Sequence, residues 1–289
     1  MKFNSVFKTI GYGLVLGISL LPPGFSVATM AMILGIYEEL INLLNELFSK
    51  DTAKAMKKIA LLGIGAAAGV VVFSGIISTL FDRFPNQLNF FFIGLVVSTF
   101  PLLAKQANIK EKFQTTNYVT LILASILAAM FIFVDTSNFI DFDGNFTLIK
   151  VLYLILTGVL VSLSMVLPGL SGALVLMLIG SYEFLLESIS TMNLAVISIV
   201  ALGAVLGLIS SGRLIKNLIE KKISLLYGLS MGLVLGSVPV LLSNGLPTNI
   251  IEIASSLVLS VVGYMTVFLL NSSKFQHASI EGQVDIDGK

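Results

Sequence analysis

Residues 21–26, with the sequence LPPGFS, decide the fold because an equivalent stretch, LPGLSG, follows at residues 167–172. When Pro23 is aligned with Pro168 (168 − 23 = 145), the surrounding sequence matches without a gap. The matched pairs are Gly13 and Gly158, Ser19 and Ser164, Gly24 and Gly169, Ser26 and Ser171, Gly35 and Gly180, Tyr37 and Tyr182, and Glu38 and Glu183. A Pro-Gly break is not expected in an ordinary membrane span, because proline removes a backbone hydrogen bond. A gene duplication is the simplest explanation for two such breaks.

The composition predicts a membrane protein. Hydrophobic residues make up 56% and charged residues 11% of the sequence, and the mean hydropathy is +1.00. In soluble domains, by contrast, about a quarter of the residues are charged. Apolar runs long enough to cross a bilayer recur along the chain, so we predict an all-α, polytopic membrane fold. The net charge of +1 argues against nucleic acid as a partner.

The scarcity of reactive side chains limits the chemistry. The sequence has no cysteine, and its one histidine, His277, lies in the polar C-terminal stretch. Histidine-based catalysis and thiolate metal sites are therefore excluded from the membrane core. We expect no catalytic residue, no metal and no cofactor.

The charges that flank the apolar segments predict the topology through the positive-inside rule. Both termini are predicted in the cytoplasm and the acidic loop 135–143 outside. The two proline-interrupted stretches, 10–48 and 152–189, are predicted as re-entrant helical hairpins, with two short full spans each as the alternative. Full spans are predicted at 59–80, 90–104, 118–134, 194–210, 225–242 and 251–270.

Each hairpin is followed by three spans, which is an odd number of crossings. The predicted repeats, 5–135 and 150–271, therefore have opposite orientations, and a polar cytoplasmic tail follows at 272–289. Inverted repeats are typical of secondary transporters, whose binding sites lie where broken helices meet. Beyond the hairpins the repeats match at an offset of 138 (239 − 101 = 138), which pairs Gly94 with Gly232 and Pro101 with Pro239.

Two further residue classes are interpreted structurally. The Gly-x-x-x-Gly pairs, such as Gly65 with Gly69 and Gly203 with Gly207, are predicted to let helices pack closely. The tyrosines and phenylalanines are expected mostly as anchors at the membrane interface and as lipid-facing side chains.

The two breaks are predicted to form one anion site. A helix that restarts after Gly24 or Gly169 directs its free N–H groups and the positive end of its dipole at the break. Hydroxyl groups add donors, and glycines permit close approach. The predicted substrate-binding residues are Pro23, Gly24, Phe25, Ser26, Thr29, Pro168, Gly169, Ser171 and Gly172. The alternative is a pair of kinked helices whose serines bond back to backbone carbonyls.

The few ionisable residues in apolar segments are functional candidates. Glu38 and Glu183 follow the breaks by about three helical turns and are predicted, with the adjacent Tyr37 and Tyr182, to act in gating or proton coupling. Carboxylates at the membrane interface are the alternative. Arg213 is a candidate for attracting an anionic head group from the cytoplasmic leaflet, although the positive-inside rule alone also explains it.

At the two hairpins the chain resembles the PopT-type undecaprenyl-phosphate (polyprenyl-phosphate) translocases, a bacterial family formerly catalogued as a domain of unknown function. The resemblance rests on residues 23–26 with 35–38 and residues 168–172 with 180–183, and extends over nearly the whole chain. The first motif of the family usually reads Pro-Gly-x-Ser-Gly-Gly-Thr. Here Val27 and Ala28 replace the two later glycines, while Ser26 and Thr29 remain.

The resemblance implies a lipid translocase, not an enzyme. It would return undecaprenyl phosphate from the outer to the inner leaflet of the bacterial cytoplasmic membrane, so that the carrier is recycled for peptidoglycan and other cell-wall polymers. Its partners would be polyprenyl-phosphate and membrane lipids, and a homo-oligomer is left open. The alternative function is a secondary transporter or channel for a small soluble anion.

Overall fold

The structure is a computed structural model that describes residues 5–24, 27, 30–31, 34–36, 39–40, 43, 52–107, 109, 113–133, 146–166, 170–243 and 245–284. These residues are almost entirely helical, and no strand occurs among them. The predicted all-α class is therefore confirmed. The helices are α1 (Val6–Ser19), α2 (Thr52–Arg83), α3 (Pro85–Gln106), α4 (Thr115–Ala129), α5 (Leu148–Val166), α6 (Gly172–Leu178), α7 (Tyr182–Ser190), α8 (Leu194–Ser243) and α9 (Ile250–Val284), and a 3₁₀ turn, Met130–Phe133, follows α4.

The helices have the length and hydropathy of a polytopic membrane protein. Within the described residues, five segments can cross a bilayer: Ala55–Arg83, Pro85–Lys105, Thr115–Phe133, Ser224–Ser243 and Ile250–Leu270. The pair α6 and α7 would form a sixth, but it bends by 117° at its break. These five segments overlap five of the six predicted spans. The sixth prediction, 194–210, falls on the shorter apolar segment Leu194–Gly207.

Two segments form the centre of the protein and three surround it. In the most apolar 18-residue stretch of each segment, the buried share is 50% in α3 and 56% in Ser224–Ser243 of α8. It is 22% in α2 and 17% in both α4 and α9. Leu95 and Val96 of α3 and Met231 and Val234 of α8 are almost completely buried in one core. The outer helices expose large apolar side chains, as expected of surfaces that face lipid.

The assigned helix α8 contains both spans that the sequence predicts separately. Its 50 residues correspond to a length of about 75 Å, more than twice the thickness of the hydrocarbon layer. The helix is not straight, because Tyr182 lines one cavity with Val240 and another with Val200. Those two α8 residues would be about 60 Å apart in a straight helix, far beyond the size of these cavities.

The Gly-x-x-x-Gly positions pack helices side by side, as predicted. Gly65 and Gly69 of α2 lie against the backbone of Ile10 and Leu14 of α1, with no room for a Cβ atom. Gly203 and Gly207 of α8 lie in the same way against Ile155 and Val159 of α5. Residue numbers rise together along each pair, so both pairs of helices are parallel. The contact of Gly203 with Ile155 repeats that of Gly65 with Ile10 at the two sequence offsets, 138 residues for the glycines and 145 for the isoleucines.

Parallel packing requires the chain to return to its starting side within each proline-interrupted stretch. Since α1 and α2 run in the same direction, residues 20–51 must bring the chain back before α2 begins. The same holds for residues 167–193 between α5 and α8. Helix α1 has 14 residues and is about 21 Å long, less than the hydrocarbon thickness of about 30 Å. Both the predicted hairpins and the alternative of two short full spans return the chain in this way, so the choice between them, like their depth and orientation in a membrane, stays a prediction.

The last helix of each predicted repeat packs on the other repeat. Helix α9 contacts α3 where Gly94 lies against Ser260 and Gly263 lies against Phe91. Helix α4 contacts the second half of α8, where Gly232 lies against Leu121. The two units are therefore interlocked through α4 and α9 and do not form separate domains.

The turn that follows each break also repeats. Gly35 and Gly180 have φ values of +65° and +71°, the left-handed conformation that closes a helix C-terminus. The amide of Ile36 donates to the Ala31 carbonyl, and the amide of Ser181 donates to the Leu176 carbonyl, each at 2.9 Å. Both bonds follow the 145-residue offset, so the two turns have the same backbone hydrogen bond.

Helix α9 continues beyond its apolar part to Val284, so it includes the first residues of the predicted polar tail, 272–289. The cytoplasmic location of that tail stays a prediction. The apolar part of α9, Ile250–Leu270, coincides with the predicted span 251–270.

Candidate functional site

The first break lies against the middle of α3. Pro22 and Pro23 lack N–H groups, and α1 closes with tight bonds from the amides of Leu20 and Leu21 to carbonyls three residues earlier (3.1 and 3.3 Å). Gly24 then has φ +82°, and a Cβ atom there would lie 2.9 Å from the Leu95 carbonyl oxygen. Only glycine fits this position without strain. The break is thereby held next to Leu95 and Thr99.

The second break places a buried hydroxyl at the start of α6. Ser171 occupies the N-cap position in extended conformation, and its side chain makes no capping hydrogen bond. The residue is 6% exposed, and its Oγ has no hydrogen-bond partner within the part of the chain that the structure describes. An unsatisfied buried polar group costs about 1–3 kcal/mol. Such a group is expected where a ligand supplies the missing partner.

Ser19 and Ser164, which precede the two breaks, differ from Ser171 because their hydroxyl groups have hydrogen-bond partners. Ser19 Oγ donates to the Leu16 carbonyl at 2.7 Å, and Ser164 Oγ donates to the Val161 carbonyl at 2.6 Å. The alternative interpretation of the motif, back-bonded serines, therefore holds for this pair but not for Ser171. The difference separates a structural serine from a candidate ligand-binding serine in the same hairpin.

Sequence reasoning missed a second buried hydroxyl, that of Ser98. It is 3% exposed on α3, and its Oγ is likewise without a partner among the residues described. Its neighbour Thr99 contacts the position of the Gly24 Cβ and donates its own hydroxyl to the Val96 carbonyl at 2.7 Å. The available signal was a polar Ser-Thr pair just before Pro101 inside an apolar run.

One hydrogen bond joins the second hairpin to the first break. Tyr182 Oη donates to the carbonyl oxygen of Leu21 at 2.8 Å, across 161 positions of sequence. Tyr182 is 3% exposed, and its ring packs edge-on against Phe81 (6.0 Å between centroids) and Phe92 (5.8 Å). The general expectation that aromatic residues mostly face lipid or the interface does not hold for Phe81 and Phe92, because both are buried in the core with Tyr182.

A cavity of about 390 Å³ is lined in part by Tyr182. We call it the polar cavity, because it contains the side chains of Glu183, Asn89 and Ser243. Glu183 is exposed and lines this space, and its role as a gating carboxylate stays a prediction. The sequence predicts Glu183 about three helical turns after the break. Ser171 and Glu183 are not on one continuous helix, because the chain bends by 117° between α6 and α7.

A second cavity, of about 230 Å³, is also lined by Tyr182. We call it the apolar groove, and its walls include Leu20, Leu21, Ala173, Leu176, Ala201 and Ala204. Among its described lining residues only Tyr182 has a polar side-chain atom, and that hydroxyl is bonded to Leu21. One aromatic ring therefore borders both a polar and an apolar compartment.

The bend at Gly180 is fixed from α5. Tyr153 Oη donates to the Ile179 carbonyl at 2.7 Å and lies 2.6 Å from Ser181 Oγ, so it bonds to residues on both sides of the glycine. In the first unit the equivalent positions are Lys8 and Ile36, which cannot form the same pair of bonds. The duplicated turn is thus reinforced differently in the two units.

Several predicted site residues are not tested. Pro23 is buried, and Gly172 is the first residue of α6. The backbone of Arg213 lies in α8, but its side chain is outside the described residues. Also outside them are Phe25, Ser26, Thr29, Tyr37, Glu38, Pro168 and Gly169. The described parts bring Leu21, Ala173 and Tyr182 together, while the direct meeting of the two breaks stays a prediction.

The fold and the site define the class: a polytopic helical membrane protein with broken helices around buried hydroxyls, and with no metal-binding cluster in the part described. More specifically, the chain belongs to the undecaprenyl phosphate translocase-like family, whose sequence profile matches residues 16–257. This match confirms the family predicted from the two hairpin motifs. The family is named for a transporter and not for an enzyme.

Two curated relatives are similar over most of their length. A polyprenyl-phosphate transporter of Staphylococcus aureus is 30% identical over 216 residues, covering 70% of this chain and 75% of that protein. A polyprenyl-phosphate transporter of Vibrio cholerae is 26% identical over 259 residues, covering 80% and 78%. No solved structure matches the chain.

Proposed function

We propose that the protein translocates a polyprenyl phosphate across the bacterial cytoplasmic membrane. The substrate is undecaprenyl phosphate, and the direction is from the outer to the inner leaflet, so that the lipid carrier is recycled for cell-wall polymer synthesis. The family and the two polyprenyl-phosphate transporters similar to this chain support the substrate class. The direction and the cell-wall role rest on the family resemblance of the motifs.

The buried hydroxyl of Ser171 is the observation that best supports a phosphate site. It lies at the N-cap of α6, where the first backbone N–H groups of the helix also need acceptors. A phosphate oxygen accepts hydrogen bonds from both kinds of donor. Helix α6 has only seven residues, so we assign the main contribution to these short hydrogen bonds and not to a helix dipole.

The proposed mechanism uses both breaks. Ser26 and Thr29 provide donors from the first hairpin, with Pro23, Gly24 and Phe25 shaping the backbone around the phosphate. Pro168, Gly169 and Gly172 have the corresponding task beside Ser171. Because the repeats are inverted, rocking of one against the other exposes the site alternately to each leaflet. Both termini lie in the cytoplasm in this arrangement.

Residues outside the breaks assist the proposed cycle. Glu183 and Tyr182, at the polar cavity, gate access from one side, and Tyr37 and Glu38 have the equivalent role on the other. Arg213 attracts the anionic head group at the cytoplasmic face. The apolar groove beside Ser171 favours a lipid over a small soluble anion, which has no use for a hydrocarbon-lined space.

The phosphate site is tested by a matched pair of serine variants. Ser171→Ala removes the hydroxyl at the break, whereas Ser164→Ala removes a buried hydroxyl bonded to its own helix. A hydrogen bond to a charged group contributes about 1.5–3 kcal/mol, so Ser171→Ala is expected to weaken binding of undecaprenyl phosphate in nanodiscs by about 10–150-fold. Ser164→Ala should bind like the wild type.

The same experiment separates the competing functions. Inorganic sulfate should not displace undecaprenyl phosphate at comparable concentrations. Full displacement by sulfate, with no requirement for a prenyl chain, would favour the soluble-anion transporter. Equal binding by the wild type and Ser171→Ala would remove Ser171 from the site.

A further inference from the structure

The apolar groove begins close to Ser171. Ala173 is part of its wall and is two residues from Ser171, so the two Cα atoms are at most about 7.6 Å apart. Leu21, on the opposite wall, directly precedes the first break. Ala173 and Leu21 are 2% and 8% exposed, so this end of the groove is closed by the protein.

The other end of the groove reaches the surface of the helix bundle. Ala201 on α8 is exposed and Ala204, one turn further, is half-buried. Small side chains at both positions leave this wall open. The neighbouring Leu202 and Val205 are exposed apolar residues, as on a surface that faces lipid. The groove therefore runs from the buried Ala173, two residues after Ser171, to the hydrocarbon phase around the protein.

We infer that the apolar groove binds the first isoprene units of the substrate chain while the phosphate lies at Ser171. This inference rests on the proposed function. A polyprenyl phosphate has its phosphate directly on the first carbon of the chain, so hydrocarbon must begin where the head-group contacts end. The distance from Ser171 to Ala173 meets that requirement. In a glycerophospholipid the glycerol unit separates the phosphate from the acyl chains, so the hydrocarbon would not begin at the distance of Ala173 from Ser171.

The apolar groove and the polar cavity have Tyr182 in common, and the bond from its hydroxyl to the Leu21 carbonyl holds the ring in place. The phosphate is assigned to Ser171 and not to the polar cavity, whose walls include the carboxylate of Glu183. The apolar groove thus sets the requirement for a chain, whereas the hydroxyl of Ser171 sets the requirement for a phosphate.

Filling the groove tests the inference. Ala204→Phe and, at the rim, Ala201→Phe place a ring in the space of the chain, while Ala67→Phe adds the same ring at an exposed position of α2. Binding of farnesyl phosphate, n-dodecyl phosphate and inorganic phosphate is measured on each full-length protein in nanodiscs. Thermal melting of each variant checks folding, and Ala201→Phe decides the test if Ala204→Phe does not fold.

The expected result is a loss of chain dependence. Each buried methylene contributes roughly fourfold in affinity, so a filled groove should weaken farnesyl phosphate binding by at least about tenfold. Inorganic phosphate should bind all variants equally, and Ala67→Phe should match the wild type. Unchanged farnesyl phosphate binding by the groove variants, or equal binding of farnesyl phosphate and inorganic phosphate by the wild type, overturns the inference alone. A wild type that binds no phosphate compound overturns the proposed function as well.

Discussion

The hydrogen bond from Tyr182 to Leu21 is the contact between the two hairpins whose removal has the clearest consequence. Tyr182→Phe keeps the ring and its packing against Phe81 and Phe92 but removes the hydroxyl. The Leu21 carbonyl, in a residue that is 8% exposed, then loses this donor. An unsatisfied buried carbonyl costs about 1–3 kcal/mol. This cost destabilises only the arrangement of the hairpins that contains the bond. The variant should therefore shift the equilibrium between this arrangement and alternative ones toward the alternatives by about 5–150-fold.

The absence of cysteine makes this shift measurable. Single cysteines at Phe7 on α1 and at Met192 after α7 are exposed and can carry spin labels without background labelling. Pulsed dipolar spectroscopy of the double-labelled protein in nanodiscs reports the distances between the hairpins. An alternative arrangement that is about 1% populated in the wild type should rise to at least about 5% in Tyr182→Phe.

Tyr153→Phe is the matched control. It also removes a tyrosine hydroxyl that bonds to a backbone carbonyl, but both partners, Ile179 and Ser181, lie in the same predicted repeat. It should lower the melting temperature without changing the distances between labels. Identical distance distributions in the wild type and Tyr182→Phe would refute the reasoning, as would an equal shift in Tyr153→Phe.

Two stability predictions follow from the same contacts. Gly24→Ala combines a φ of +82° with a Cβ atom 2.9 Å from the Leu95 carbonyl oxygen, so it should cost about 1–3 kcal/mol of stability and lower the melting temperature. Gly63→Ala in α2 places its Cβ atom in open space and should not destabilise the protein. Equal melting temperatures of the two variants would contradict the fit of the first break. Ser98→Ala removes a buried hydroxyl that is unpaired among the described residues, so its melting temperature should equal or exceed that of the wild type. A clear loss of stability would mean that Ser98 has a structural partner.

The sequence predicts the secondary structure and the local packing well, because both depend on short-range patterns. Hydropathy is sufficient to find five spans, since lipid forces continuous apolar runs. The glycine spacing in α2 and α8 identifies packing faces, because only small side chains permit close helix approach. The offsets between the repeats even indicate which contacts recur, such as Gly65 with Ile10 and Gly203 with Ile155.

The connections between distant elements are not predictable in the same way. Nothing in the periodicity of α3 and α9 indicates that they pack together, or that α4 packs on α8, because these pairings depend on the shapes of complete helices. The partner of Tyr182 is 161 positions away, and its burial depends on Phe81 and Phe92 from two other helices. Sequence reasoning therefore assigned phenylalanines mostly to the lipid boundary, whereas Phe81 and Phe92 are buried in the core.

The candidate site is an intermediate case. The duplicated motif points to Ser171, and the structure gives this residue a buried hydroxyl without a partner among the described residues. The groove and the polar cavity needed the structure, because each is built from three or more elements that are far apart in sequence. Ser98 shows the limit most clearly, since Ser-Thr pairs also occur at 78–79 and 190–191, and only tertiary packing brings its neighbour Thr99 against Gly24.

The most direct measurement is transport in liposomes that contain undecaprenyl phosphate and the purified protein. The fraction of the lipid phosphate accessible to a membrane-impermeant reagent is followed after the lipid is added to the outer leaflet. The account predicts that the wild type and Ser164→Ala move the phosphate inward, while Ser171→Ala is slower by at least about tenfold. A wild type indistinguishable from protein-free liposomes, or a Ser171→Ala variant as fast as the wild type, would contradict it.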